Sequence, residues 1–254
     1  MPQFTPEERE ELRSALVEAA RVDDRISAAA HLGSMALGRV DRWSDIDLAL
    51  ACANAADLDR VAGEWTMRMY DQHAAATHFD VRYGPAVYRV FLLHNTLQVD
   101  LSFWPADGFA PHGPAFNLIF GEIGETKAPA EPDARDSIGM AWLHALHVRS
   151  SLARKRTWQA EYMLNGMRTH MLVLACRRHG LLTKDARGVD DLPASLRHAF
   201  LETYPERVHD DALRDAFSRA IPLLIDEVAA VDAALADQLR GPLAGLLPSH
   251  PTPP

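Results

Sequence analysis

Between Asp45 and Leu50 the chain alternates strictly, with Asp45, Asp47 and Ala49 at the odd positions and Ile46, Leu48 and Leu50 at the even ones. A period of two is the pattern of a strand, whose successive side chains point to opposite faces. Asp45 and Asp47 therefore share a face, with Cα atoms about 6.6 Å apart, while Ile46, Leu48 and Leu50 face a core. The pattern returns at "LQVDLSF", where Leu97, Val99, Leu101 and Phe103 oppose Gln98, Asp100 and Ser102. Two strands, each apolar on one face and acidic on the other, need a shared core beneath them and a counter-ion above.

Around these strands the N-terminal half reads as mixed α and β. Thr5-Pro6 followed by three acids in "EERE" is a helix start that can run to about Arg21. "ISAAAHL" is a short buried strand ending at Gly33. Residues 45–52 form the next strand, 56–73 an amphipathic helix with Leu58, Val61, Trp65 and Met69 on one face, and 77–104 hold three more strands. The segment "KAPAEPDARD", 127–136, reads as a linker or helix boundary. Beyond it the pattern predicts only helices, over 133–154, 157–179, 193–203 and 208–239, then a frayed or extended tail. The expected fold class is α/β (α+β): a core with a mixed sheet over 1–128, an all-helical C-terminal domain over 129–240, and a flexible tail over 241–254. A chain of 254 residues is long enough to bury the cores that this requires.

Charge narrows the partners. With 26 Lys and Arg against 35 Asp and Glu, the net charge is -9, and a broad acidic field repels a phosphate backbone and attracts cations. This argues against a nucleic-acid partner. No apolar run reaches the length of about eighteen residues that a membrane span needs, and the acidic N-terminus does not resemble a signal peptide. The expectation is a cytoplasmic protein with no membrane partner, and a homodimer is compatible with the sequence. Cys52 and Cys176 each lie in an apolar segment and read as buried thiols.

Three aspartates on neighbouring strands, Asp45, Asp47 and Asp100, supply hard oxygen ligands that suit Mg²⁺. Gly33 and Ser34 fall where the first strand gives way to a short helix, "MALG". Glycine permits close backbone approach, and helix-start N–H groups with a serine hydroxyl suit a triphosphate. Arg39 and Arg42, in the intervening loop, could reach that triphosphate or stand as solvated loop charges. An exposed edge strand and a helix cap would explain each part separately, but not their order. That order, Gly-Ser, ten residues, then Asp-x-Asp with Ser44 directly before Asp45, and a third strand-borne Asp, resembles the polymerase β-type nucleotidyltransferase superfamily. The resemblance implies that Gly33 and Ser34 contact a nucleoside triphosphate, with Ser44 in the same set. It also implies that Asp45 and Asp47 bind two metal ions, and that Asp100 joins the catalytic one.

The helical half, particularly "RTWQAEYMLNGMRTHMLVLACRRHGL", resembles the C-terminal domain of antibiotic nucleotidyltransferases, the aminoglycoside and lincosamide adenylyltransferases. Glu161, Leu164, Arg168 and Leu172 follow one helix face. By that resemblance Glu161 is the candidate base on an acceptor hydroxyl and Arg168 a phosphate or substrate contact. The same spacing suits two solvated helix charges. Trp158 and Tyr162, four residues apart, read as core. His144 and His147 lack a third ligand at diagnostic spacing and read as packing or surface residues.

Taken together, the resemblance implies transfer of a nucleoside monophosphate, AMP from ATP or another NTP, to a hydroxyl of a small and possibly cationic acceptor such as an aminoglycoside or lincosamide, with two Mg²⁺ ions. A nucleotidyltransferase acting on protein or RNA, and an antitoxin-like binding module, are the competing expectations.

Overall fold

The computed structural model describes residues 3–111, 113–124 and 133–247. It divides into two compact units, Met1–Ala130 and Glu131–Pro254.

The first unit opens with helix α1, Pro6–Arg21, closed at its N-terminus by a capping box in which Thr5 and Glu8 each satisfy the other's backbone N–H. Strand β1, Ile26–Leu32, leads directly into a four-residue helix α2, Gly33–Ala36, and a loop then reaches β2, Ile46–Cys52. Helix α3, Leu58–His73, is followed by β3, Ala75–Tyr83, β4, Ala86–Leu93, and β5, Gln98–Pro105. These elements match the strands and helices that the sequence pattern predicts to within a few residues. A sixth strand, β6, Phe116–Phe120, is not foreseen, because its partly exposed residues show no alternation. The backbone of β1 provides the missing signal, pairing antiparallel with β6 from Ala29 to Leu32.

The strands form one sheet in the order β3-β4-β5-β2-β1-β6. Its β2–β5 pair is parallel and the others are antiparallel, so the sheet is mixed, as expected. Helices α1 and α3 cover one face. Leu16 and Ala20 of α1 and Val61, Trp65 and Met69 of α3 share a buried cluster with Ile46, Leu48, Leu50, Val99, Leu101 and Phe103 of the strands. A smaller cluster, including Ala49, Ala51 and Trp104, lies on the opposite face.

Every regular element described in the second unit is a helix: α4, Ala134–Ala153, α5, Thr157–Arg178, α6, Ala194–Leu201, α7, Asp210–Ala229, and α8, Ala233–Ala244, with two short 3₁₀ turns between α5 and α6. Its core joins Ala141, Ala145 and Val148 of α4, Leu164, Met167 and Met171 of α5, and Phe217, Ala220 and Leu224 of α7. The part of the expected linker before Asp133 lies outside the described residues, and Asp133 itself caps α4 through the N–H of Arg135.

Three expectations for this half need correction. The predicted helix over 208–239 is two helices, because the extended backbone of Asp232 breaks it and its carboxylate accepts the N–H of Leu235 to start α8. The expected flexible tail begins too early, since α8 continues to Ala244 and Leu243 and Leu246 are buried in the helical core; residues 248–254 lie outside the described residues. Trp158 and Tyr162 are exposed, at 79% and 70%, rather than core. The buried stripe of α5 runs through Ala160, Leu164, Met167 and Met171, and a residue two positions from Ala160 points to the opposite side of the helix.

Candidate active site

The parallel pairing of β2 with β5 sets Asp47 directly opposite Asp100. Asp45 stands one residue before β2. The flanking Ile46, Leu48, Val99 and Leu101 are no more than 2% exposed, so the core on the other face fixes the positions of the acidic residues. One carboxylate oxygen from each of Asp45, Asp47 and Asp100 lies within 4.8 Å of the others. Ionised carboxylates only accept hydrogen bonds, so their convergence favours a cation between them. Asp100 carries the strain of the arrangement: burial, aided by the negative charge of Asp45, pushes its carboxyl up to about 6. Gln98 opposes this, its amide donating to both Asp100 oxygens at 3.0 and 3.1 Å.

Gly33 closes the site from the β1 side. Its φ is +56°, and a Cβ built there would lie 2.1 Å from Oδ2 of Asp47. A side chain at this position would displace a carboxylate of the cluster. Both the backbone angle and the close approach therefore call for glycine. These residues fit a divalent metal of the hard, oxygen-ligated kind: three carboxylates with oxygens within 4.8 Å of one another, one of them held at a raised pKa that a cation would lower. Ser34 follows in α2 and is half-buried.

The remaining sequence candidates fall in different settings. The Ser44 hydroxyl closes a turn, accepting the N–H of Asp41 at 2.9 Å and donating to its carboxylate at 3.1 Å. Arg39 and Arg42 are exposed, and Arg42 stacks on the exposed Trp43 ring at 5.1 Å. Arg42, Trp43, Phe4, Thr96 and Gln98 line a cleft of about 250 Å³ beside Asp45. Glu161 belongs to the second unit, half-buried, with a carboxylate oxygen 3.6 Å from the Arg168 guanidinium. Arg168 is enclosed within that unit: it is 1% exposed, donates to the Thr203 carbonyl at 2.9 Å and stacks on Tyr204 at 4.0 Å, while its buried Nε has no hydrogen-bond partner. The expected role of Arg168 as a phosphate or substrate contact is thus corrected to a packing role. His144 engages the Met140 carbonyl and stacks on His170. Among the described residues the aspartate triad is the one cluster with the geometry for a metal.

Two residues near the site were not singled out from sequence. Gln98 appeared only as a polar strand position, and its contact with Asp100 needs the strand's conformation. Arg9 is 6% exposed, and its guanidinium donates to the carbonyls of Asp41 and Ser44. Its signal was present in the helix period, since Arg9, Leu16 and Ala20 fall on one buried face of α1.

No protein-family model matches the chain, and no curated protein does. Among solved structures, an aminoglycoside 6-adenyltransferase from Bacillus subtilis is similar over 95% of this chain and 99% of that one, with 14% sequence identity and a TM-score of 0.41. Among the described residues, no helix is long and apolar enough to cross a membrane.

Proposed function

We propose that the chain is a metal-dependent nucleotidyltransferase that moves a nucleoside monophosphate, AMP from ATP in the first instance, to a hydroxyl of a small acceptor. The convergence of Asp45, Asp47 and Asp100 within 4.8 Å, with Gly33 pressed against Asp47, carries this reading. Asp45, Asp47 and Asp100 would hold Mg²⁺, two ions in all. When bound, the metal would supply charge neutralisation at the phosphates and lower the pKa of the acceptor hydroxyl. Ser34 and the backbone at Gly33 would hold triphosphate oxygens, and the exposed Arg39 and Arg42 would add positive charge around them. Ser44, whose hydroxyl is engaged with Asp41, would act by shaping the loop.

In this reaction the acceptor oxygen bonds to the α-phosphorus, the bond to the bridging oxygen breaks, and pyrophosphate leaves with that electron pair. Glu161 is the proposed acceptor of the hydroxyl proton. The first unit is the catalytic domain in this reading, and the helical unit, with its exposed Trp158 and Tyr162, supplies contacts to the acceptor. A net charge of -9 places a polycationic aminoglycoside first among acceptors and a lincosamide second. A cytoplasmic setting, where ATP is available, completes the proposal.

The test is pyrophosphate release from ATP with Mg²⁺ across a panel of aminoglycosides and lincosamides. Acceptor-dependent release that Asp47→Asn abolishes is the expected result. ATP binding without release under any acceptor would instead identify a binding module.

A further inference from the structure

We propose that Arg9 is a positioning residue for the metal centre, pinning the loop that carries Asp45. Arg9 sits at the end of the first turn of α1, on the helix face that packs against the sheet, and is 6% exposed. A guanidinium at such a depth needs acceptors. It finds them in the carbonyls of Asp41 and Ser44, the latter at 3.1 Å, so both ends of one four-residue turn are tied to the same nitrogen, Nη1. The turn is also closed from within, through Asp41 to the N–H of Trp43 at 2.8 Å and to the hydroxyl of Ser44.

Asp45 is the next residue, and unlike Asp47 and Asp100 it lies outside the paired strand segments. Its position along the chain is therefore set on one side by the strand and on the other by this turn. The segment preceding α1 makes a matching contact with the other half of the site. Phe4 donates its N–H to the carbonyl of Asn95 at 2.9 Å, in the turn that leads into Gln98 and Asp100. The start of the chain thus holds both approaches to the carboxylate cluster, one by a buried guanidinium and one by backbone. Orienting groups beyond the ligands themselves commonly set metal affinity.

This inference rests on the metal-dependent reading above, and the experiment separates the two. Binding of Mn²⁺ alone is measured by electron paramagnetic resonance and calorimetry on the full chain, well below each variant's thermal midpoint, for wild type, Asp47→Asn, Arg9→Gln, Arg9→Lys and Asp41→Ala. The expected results are a loss of binding in Asp47→Asn and about tenfold weaker binding in Arg9→Gln. Arg9→Lys should recover part of that loss, because it returns a cationic donor. Asp41→Ala loosens the same turn from the exposed side without touching the core, and should weaken Mn²⁺ by about threefold. It carries the test if Arg9→Gln does not fold.

Wild-type affinity in Arg9→Gln, or in Asp41→Ala where Arg9→Gln is unfolded, overturns the positioning role and leaves the metal reading intact. Absence of Mn²⁺ binding by the wild type overturns both. Weak binding in Arg9→Gln with no recovery in Arg9→Lys, together with an unchanged Asp41→Ala, reduces Arg9 to a general support of the fold and also overturns the proposal.

Discussion

Gly33→Ala separates backbone strain from damage to the site, because the chain contains its own control. Gly33 and Gly38 both have positive φ, +56° and +64°, and they lie five residues apart. Alanine in this region costs about 1–2 kcal/mol at either position. Around Gly38 a Cβ would meet nothing within 4 Å, whereas at Gly33 it would lie 2.1 Å from Oδ2 and 3.1 Å from Cγ of Asp47. The carboxylate would have to retreat by about 1.3 Å to reach ordinary contact. Metal–oxygen distances tolerate only about 0.2 Å, so one ligand would be lost. We therefore expect Gly38→Ala to lower unfolding free energy by about 1–2 kcal/mol with Mn²⁺ affinity unchanged. Gly33→Ala should show at least that loss of stability and bind Mn²⁺ at least about tenfold more weakly. Urea denaturation and calorimetric titration measure the two quantities. Equal Mn²⁺ affinity in the two variants would refute the contact-based reasoning, whatever their stabilities.

Four further outcomes follow from the same structure. Asp100 holds its proton up to about pH 6 in the folded chain against an ordinary value of 3.8, so the folded state binds more protons than the unfolded one between these values. The contribution of Asp100 to metal-free stability should fall as pH rises from 4 to 6, so the urea midpoint of Asp100→Asn should gain on that of the wild type over this range, reaching an advantage of about 1 kcal/mol at pH 7 after allowance for solvent screening. Ser34→Ala should weaken ATP binding by about 1–2 kcal/mol in calorimetry without abolishing it. Glu161→Gln should lower kcat by roughly 10² to 10⁴ with ATP affinity nearly intact; a change below about threefold would remove Glu161 from proton transfer. Asp232→Ala should cost about 1 kcal/mol in thermal or urea unfolding through loss of the α8 cap.

What could be read from the sequence was local. The alternation around Asp45, Asp47 and Asp100 identified two strands, their buried faces and their acidic faces, since each depends only on the pleat. Leu58, Val61, Trp65 and Met69 likewise marked the buried face of α3, and all four are buried. The misses depended on neighbours. β6 is defined by its pairing with β1 rather than by its own pattern. The break at Asp232 is a single extended residue inside a continuing helical period. Trp158 and Tyr162 are large and apolar enough to suggest burial, but the phase of α5 is set by smaller residues around Ala160. For the site, the residue types were legible, while the pressure of Gly33 on Asp47 and the reach of Arg9 to the 41–44 turn arise only when separate elements meet.

The cluster of like charges and the stability of the first unit come from one arrangement. Ile46, Leu48, Val99 and Leu101 alternate with Asp47 and Asp100 along β2 and β5, with Asp45 one residue before β2, and the apolar members are almost fully enclosed. A slip of one residue in either strand would turn carboxylates into the core and leucine to the outer face. The large apolar gain from the correct register therefore opposes the repulsion among the aspartates. The sheet can hold Asp100 partly desolvated, with its carboxyl pushed up to about 6, because Val99 and Leu101 on either side of it are buried in the core. A cation bound between the three carboxylates would relieve that repulsion without altering the register, so its binding energy would add to folding stability. Core-truncating substitutions such as Leu48→Ala would then weaken the centre by loosening the strand under it, although the side chain removed lies on the face opposite the acids.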